Sequence, residues 1–380
     1  MNETGTIGMA GTMPGASAVD VIDALLERAA KLKASDVHID PRASDILVRY
    51  RIDGEVELAG SVPKRLHEEV IARLKILAGA RTDVHSVPQD GRFKADLKEG
   101  PYNARVSFMP TYHGENAVIR LLSASLAGQC TFASLGFTPE HVALITKAMA
   151  ASDGLILMTG PTGSGKTTTL RVCLGLKAEE PISVMTLEDP VEYEVPGVRH
   201  VHIRRSHGVS FASGLRSALR QDPDVIMVGE IRDEETAQTV IHTALTGHLV
   251  FSTLHTTSAI DAIPRLMDMG IEPYLLAATL RLVVGQRLVR RICAACDGTR
   301  SVGAEECAAC RGTGYAGRCV IAEACEIDDG MRDKIVSGAP VSALRDHAAL
   351  AGFKTMSQDA GEKVDWGVTS RTEALGALGA

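Results

Sequence analysis

The sequence predicts an α/β protein in which a small α+β domain precedes a larger, parallel-rich sheet covered by helices. Three observations predict it. Period-two and helix-spaced apolar patterns alternate in the first third of the chain. From residue 154 onward, short wholly apolar runs alternate with helix-compatible ones, and a glycine cluster follows the first of these runs directly. The chain has 380 residues, a formal net charge of −7, 45% hydrophobic and 23% charged residues. That length accommodates roughly two or three domains. Its acidic balance argues against a general nucleic-acid binder, which carries a basic field, so no stable nucleic-acid binding is expected. No apolar run approaches the ~18 residues of a membrane span. The start, MNETGTIGMAGTMPGASAVD, has neither the basic opening nor the apolar core of a signal peptide. Residues 1–17 are expected to be disordered, and the protein cytoplasmic.

In the first domain, expected over 18–125, VIDALLERAAKLK carries a helical stripe through Val21, Ile22, Leu25, Leu26 and Leu32. SDVHID and ILVRYRI alternate as strands, and Asp53-Gly54 supplies a tight hairpin turn into EVEL. LHEEVIARLKILAG returns to helical spacing and ends at Gly79, placed as a left-handed cap. GRFKADL, NARVSFM and AVIRLL alternate again. A hinge-like linker is expected over 126–137, after which Thr138-Pro139 caps the helix EHVALITKAMA. The strands LILM, PISVMTL, DVIMVGE and HLVFSTL then define a core over 138–290. From about 271 the reading turns mostly helical, with a cysteine segment at 291–318 and a helical C-terminal subdomain at 319–380. No internal repeat is apparent.

GPTGSGKTTTL, residues 160–170, places three glycines, a lysine and four threonines behind the apolar run LILM. Ordering glycine is costly and buries nothing, so the cluster requires a reason. The segment fits G-x-x-x-x-G-K-[ST] through Gly160, Gly165, Lys166 and Thr167, with Pro161, Thr162, Gly163, Ser164 and Thr168 completing the loop. Backbone N–H groups can all face one concavity only in a glycine-rich turn, and the following helix adds its positive end. Lys166 is expected to reach the β- and γ-phosphates of ATP, and the Thr167 hydroxyl to hold Mg²⁺.

Hydrolysis also requires a carboxylate near the γ-phosphate. Glu188 and Asp189 in VMTLEDPVEY, and Glu230 in RQDPDVIMVGEIRD, each follow an apolar run, and parallel strand ends gather at one edge. One acid would polarise a water and the other, Glu230, hold Mg²⁺ directly or through water. TGHLVFSTLHT adds His248 and His255 around another strand, with His255 the nearer to the chemistry.

These segments together resemble the secretion and pilus-assembly ATPases: the type II secretion ATPase and its type IV pilus extension relatives. The likeness rests on GPTGSGKTTTL (Walker A), TLEDPVEY (Asp box), RQDPDVIMVGEIRDEETA (Walker B) and TGHLVFSTLHT (His box), in that order. In the first domain ASDVHIDP, VRYRIDG, RLKILAG, VPQDGRF and RVSFMPTYHGENAVIRLL also match. The resemblance implies a P-loop, RecA-like ATPase domain and a homohexameric ring whose rounds of hydrolysis move the small domain against the ATPase domain. It implies an inner-membrane platform protein as partner, and hence peripheral association with the cytoplasmic face of that membrane. It also implies catalytic roles for Arg105, Arg120 and Arg220, with Arg216, Arg232 and Arg265 at further matching positions. A guanidinium brought in by domain closure stabilises transition-state charge, worth ~10³ to 10⁵ in rate.

CAACDGTRSVGAEECAAC contains two C-x-x-C pairs: Cys293 and Cys296, then Cys307 and Cys310. Two such knuckles complete a tetrahedron of thiolates with no open position, the pattern of a structural Zn²⁺. The interval between the pairs is short for the resemblance, and Cys319 and Cys325 sit just beyond it, leaving a ligand swap with Cys319 as an alternative. Relatives of the secretion type carry a further N-terminal domain for docking a membrane-anchored partner. With only about 17 residues ahead of the small domain here, docking is expected to rely on the platform protein. The main expectation is a hexameric ATPase motor for pseudopilus assembly in type II secretion. Rivals are a type IV pilus or DNA-uptake motor, a DNA-translocating ATPase and a non-hydrolysing nucleotide-binding scaffold.

Overall fold

The structure, a computed structural model, describes residues 17–123, 130–203 and 208–379. The stretch 1–16 and part of the expected linker, 126–129, lie outside the described residues. The chain divides into two units, residues 1–126 and 127–380.

The first unit contains α1 (Ala18–Lys31), β1 (Asp36–Pro41), β2 (Asp45–Ile52), β3 (Glu55–Pro63), α2 (His67–Ala78), β4 (Gln89–Leu97), β5 (Gly100–Thr111) and β6 (Gly114–Ser123). Its six-stranded antiparallel sheet has the order β3-β2-β1-β6-β5-β4. Asp53 and Gly54 both take positive φ, 51° and 98°, as the primed hairpin turn between β2 and β3 requires. Val21, Ile22, Leu25 and Leu26 of α1 and Val70, Ile71 and Leu74 of α2 are buried with one face of the sheet, including Val48, Tyr50, Val106 and Ile119. The other face carries a cross-strand row of arginines, since Arg92 opposes Arg105 and Arg105 opposes Arg120.

The second unit opens with α3 (Phe132–Leu135), α4 (Pro139–Met149), β7 (Gly154–Thr159), α5 (Lys166–Ala178), β8 (Val184–Glu188) and β9 (Val198–His202). It continues through α6 (Phe211–Ala218), β10 (Val225–Val228), α7 (Glu234–Leu245), β11 (Leu249–Leu254), α8 (Ala262–Asp268) and α9 (Pro273–Thr279). It closes with β12 (Leu280–Ile292), β13 (Ser301–Val302), β14 (Glu305–Glu306), β15 (Tyr315–Glu326), α10 (Asp329–Val336), α11 (Val341–Leu350), α12 (Met356–Asp365) and α13 (Arg371–Leu378). The central seven-stranded sheet runs β15-β12-β7-β11-β10-β8-β9. Every neighbouring pair in it is parallel except β12–β15. Helices cover both faces, so the inner strands are apolar on both sides. In β7, Leu155 and Leu157 enter one core cluster while Ile156 and Met158 enter the other.

Two expectations are corrected here. Residues 280–292, read as part of a mostly helical tail, form a thirteen-residue strand between β7 and β15. Leu280, Val284, Leu288 and Ile292 recur every fourth residue, which suits a helix stripe as well. The backbone partners on either side decide for the strand. The core also extends past 290: β15 pairs with β12 over nearly its whole length, and its Val320, Ala322 and Ala324 lie in the same cluster as Ile156 and Met158. The helical C-terminal subdomain therefore starts at α10 rather than at 319, and the cysteine segment is an insertion between two sheet strands. Strand β9 lies in VRHVH, a stretch outside the strands read from the sequence.

Candidate nucleotide site and cysteine cluster

Register places the predicted site residues. Thr159 at the end of β7 is level with Leu254 of β11 and Gly285 of β12, and Leu187 of β8 with Val228 of β10. Strands β7, β8, β10 and β11 end within a residue of these positions, at one edge, while β12 runs on past it beside β15. The loop 160–165, Glu188, Glu230, His255 and Gln286 therefore gather there, as strand ends of a parallel sheet do.

The loop needs its glycines. Gly160 has φ 142°, and a Cβ on it would stand 2.5 Å from the Gln286 carbonyl oxygen. Gly165 has φ 88°, caps α5 without a side-chain hydrogen bond, and leaves the amides of the first turn facing outward. Gln286 is fully buried and its Nε2 donates to Ser164 O at 2.8 Å. Lys166 Nζ reaches across the loop and donates to Gly160 O at 2.6 Å and Pro161 O at 3.0 Å. Burial pulls its ammonium down from the ordinary 10.5 to about 8, against the opposing pull of Glu230. Pro161, Thr162, Gly163 and Thr167 are exposed, so the Thr167 hydroxyl is accessible to a cation, while Thr168 is half-buried on α5.

The acids differ in their surroundings. Glu188 is 8% exposed and its Oε1 accepts from Thr186 Oγ1 at 2.7 Å and contacts His200 Nδ1 at 3.0 Å. Glu230 is paired with Arg232 at 2.5 Å and stands 3.6 Å from His255 Nε2. Arg232 and His255 are thus brought to the same acid. His248 lies at the opposite edge, where its carbonyl accepts from Gly154 N at 3.1 Å at the start of β7.

Arg220 does not reach this edge within its own chain. It sits in the short turn Leu219–Gln221 ahead of β10, donating to Arg216 O at 3.1 Å and Ser217 Oγ at 3.2 Å. A strand that runs toward the loop must start at the far edge, and that is where Arg220 is left. Arg216 pairs with Glu235, and Arg265 is exposed on α8. In the first unit, Arg120 Nε donates to buried Asp36 at 3.0 Å, with Arg105 beside it in the row that Arg92 completes. No sequence signal points to a role for Arg92 or His200, and Gln286 and Arg287 stand out only as part of QRLVR, a segment that resembles the one ahead of the cysteine block in the secretion ATPases. Arg287 donates to Thr257 O at 3.0 Å, tying β12 to the loop after His255.

Cys293, Cys296, Cys307 and Cys310 are buried together, with their sulfurs all within 4.8 Å of one another. The pairs Cys293–Cys307 and Cys296–Cys310 stand 3.9 and 3.6 Å apart. A tetrahedron of thiolates on Zn²⁺, with bonds of about 2.3 Å, separates its sulfurs by about 3.8 Å, so the donor set fits. Gly314 N donates to Cys310 Sγ at 3.3 Å, the amide support that thiolates take. Cys319 packs instead with Val289, Ile321 and Met356, and Cys325 lies in the main core, so neither joins the cluster.

A phosphate loop between strand and helix, with two acids at the neighbouring strand ends of a doubly covered parallel sheet, defines a P-loop ATPase. The profile of the type II/IV secretion system protein family matches residues 14–376, and the chain belongs to that family. It is 43% identical over 369 residues to the type II secretion system protein HxcR of Pseudomonas aeruginosa, covering 96% of this chain and 78% of that protein. It is 38% identical over 391 residues to the type IV pilus assembly ATPase PilB of Myxococcus xanthus, covering 97% and 69%. Among solved structures, the pilus retraction motor PilT with bound ADP matches with TM-score 0.68 at 28% identity, covering 94% of this chain and 96% of that one. The Legionella pneumophila ATPase DotB shares the fold, with TM-score 0.76 at 23% identity over 99% and 100%. The chain is accordingly an ATPase of this family. Among the described residues no helix is long and apolar enough to cross a membrane.

Proposed function

We propose that this protein is a hexameric motor whose ATP hydrolysis powers pseudopilus assembly in type II secretion. The observation that carries the reading is the convergence of the Lys166 loop, Glu188 and Glu230 on one sheet edge. In this reading the loop amides and Lys166 hold the triphosphate, and Glu188 takes the proton of the attacking water. Mg²⁺, held by Thr167 and Glu230, would neutralise charge on the β- and γ-oxygens. Zn²⁺ in the cysteine cluster would be structural. Arg105 and Arg120 of the small domain would supply transition-state charge stabilisation. An inner-membrane platform protein receives the stroke, with the ring peripheral to the cytoplasmic face. The likeness to HxcR favours secretion, and that to PilB supports pilus assembly as the second reading.

Phosphate release by the purified chain tests the core of this. Lys166→Ala should abolish tight ATP binding. Glu188→Gln and Glu230→Gln should each lower kcat by ~10² or more while nucleotide still binds. Undiminished turnover in both glutamine variants overturns the assignment. For the secretion reading, a strain lacking this gene should regain export of the machine's substrates with the wild-type chain but not with Glu188→Gln.

A further inference from the structure

We infer that His200 is a positioning residue for the ATPase: it and Thr186 occupy one oxygen of Glu188 and leave the other, Oε2, as the oxygen that accepts the proton of the attacking water. This rests on the reading of Glu188 as the base.

The inference begins with strand pairing. Parallel strands β8 and β9 place Thr186 directly opposite His200, and period two puts Glu188 on the same face as Thr186. Thr186 Oγ1 stands 2.7 Å from Glu188 Oε1 and 2.9 Å from His200 Nδ1, and His200 Nδ1 stands 3.0 Å from Glu188 Oε1. Hydroxyl, imidazole and carboxylate form a closed triangle. The far side of the ring decides the direction of the bonds. Val195 N–H donates to His200 Nε2 at 2.9 Å, so that nitrogen presents its lone pair. An imidazole that accepts at Nε2 carries its proton on Nδ1 and donates there. Both neighbours of Oε1 are therefore donors, and both are held by backbone geometry.

The consequence is orientation. The side chains of Glu188 and His200 are each only 10% exposed. A carboxylate with one oxygen saturated by two fixed donors cannot rotate freely, so its second oxygen keeps one direction. Proton abstraction demands such a fixed acceptor, because small misplacements at a reacting centre are costly. Val195 also matters. It lies in the segment after Glu188, so its N–H links the tautomer of His200 to the path of the chain beyond the base.

The experiment uses the full-length chain and steady-state phosphate release. His200→Leu removes the donor, whereas His200→Asn restores an amide N–H near the Nδ1 position. His200→Leu should lower kcat ~30-fold with the KM for ATP and the Kd for MgADP within about twofold of wild type. His200→Asn should recover to within about threefold of wild type. In a Glu188→Gln background, His200→Leu should change kcat by less than about twofold, because the oriented base is already gone. With histidine-labelled protein, nitrogen NMR should show one ring, absent from His200→Asn, protonated at Nδ1 and accepting at Nε2. Unchanged kcat in His200→Leu, equal loss in His200→Asn, an undiminished loss in the Glu188→Gln background, or a His200 protonated at Nε2 each overturns the inference. If His200→Leu fails to bind MgADP, His200→Asn and the NMR tautomer decide it. Wild-type turnover in Glu188→Gln instead removes the base assignment itself, a separate failure.

Discussion

Gln286 Nε2 donates to Ser164 O at 2.8 Å, joining β12 to the phosphate loop across 122 positions of sequence. The same glutamine abuts both special glycines: Cβ atoms added to Gly160 and Gly165 would lie 2.5 Å from its carbonyl oxygen and 3.2 Å from its Nε2. The loop is thus shaped from behind by a strand that contributes nothing to the Walker pattern. Gln286→Ala leaves a buried carbonyl without its donor and the loop without its backing. About tenfold weaker ATP binding is expected from a desolvated, unpaired group of this kind. Titration with a fluorescent nucleotide checks it. Gly160→Ala should be more severe, because the Gln286 backbone cannot yield to a Cβ.

The cysteine cluster should hold about one zinc per chain. Metal analysis of purified protein measures it directly, with Cys293→Ser and Cys307→Ser expected to lose most of the metal. Structural zinc sites carry apparent energies of ~10 to 16 kcal/mol, far more than this polar insertion gains from its own packing. Loss of metal should therefore expose residues 293–314 to proteolysis. The sheet strands on either side, paired with each other and with β7, should stay protected.

The arginine row offers a test of action between subunits. Arg105→Ala should lower kcat by ~10³ while leaving nucleotide affinity unchanged, as loss of a charge used only in the transition state does. Mixing Arg105→Ala chains with Lys166→Ala chains should restore part of the activity if the row serves a neighbouring subunit. Specific activity of the wild type should likewise rise with concentration. Concentration-independent activity from a strict monomer counts against the ring.

Burial makes His141 sensitive to acid. It is 3% exposed and contacts the Thr138 hydroxyl at 3.2 Å. Burial holds its pKa below the ordinary 6.5, Asp359 and Glu140 pull upward, and Lys363 and Lys354 oppose them. The folded state thus binds this proton less readily than the unfolded chain. As pH falls below 6.5, protons favour the unfolded state and stability drops. Urea midpoints should fall further between about pH 7.5 and about pH 5.5 in the wild type than in His141→Gln. Equal falls would show that His141 is not the group responsible.

The division between what was legible and what was not follows the range of the forces involved. The glycine loop, the two acids behind apolar runs and the paired cysteines each have short-range chemical requirements. Phosphate needs convergent amides, hydrolysis needs a carboxylate, zinc needs thiolates at knuckle spacing. The sequence by itself therefore singled out Lys166, Glu188, Glu230 and the cysteines Cys293, Cys296, Cys307 and Cys310 as candidates, and it determined the hairpin at Asp53-Gly54, whose positive φ values are a property of the dipeptide. Tertiary structure alone decided that residues 280–292 are a strand, because a four-residue apolar spacing suits either periodicity until β7 and β15 supply hydrogen-bond partners. It alone placed Gln286 behind the loop, His200 against Glu188 and Arg220 at the far edge. Those are relations between distant segments, set by strand order and register, and no local pattern of side chains encodes which strand will lie beside which.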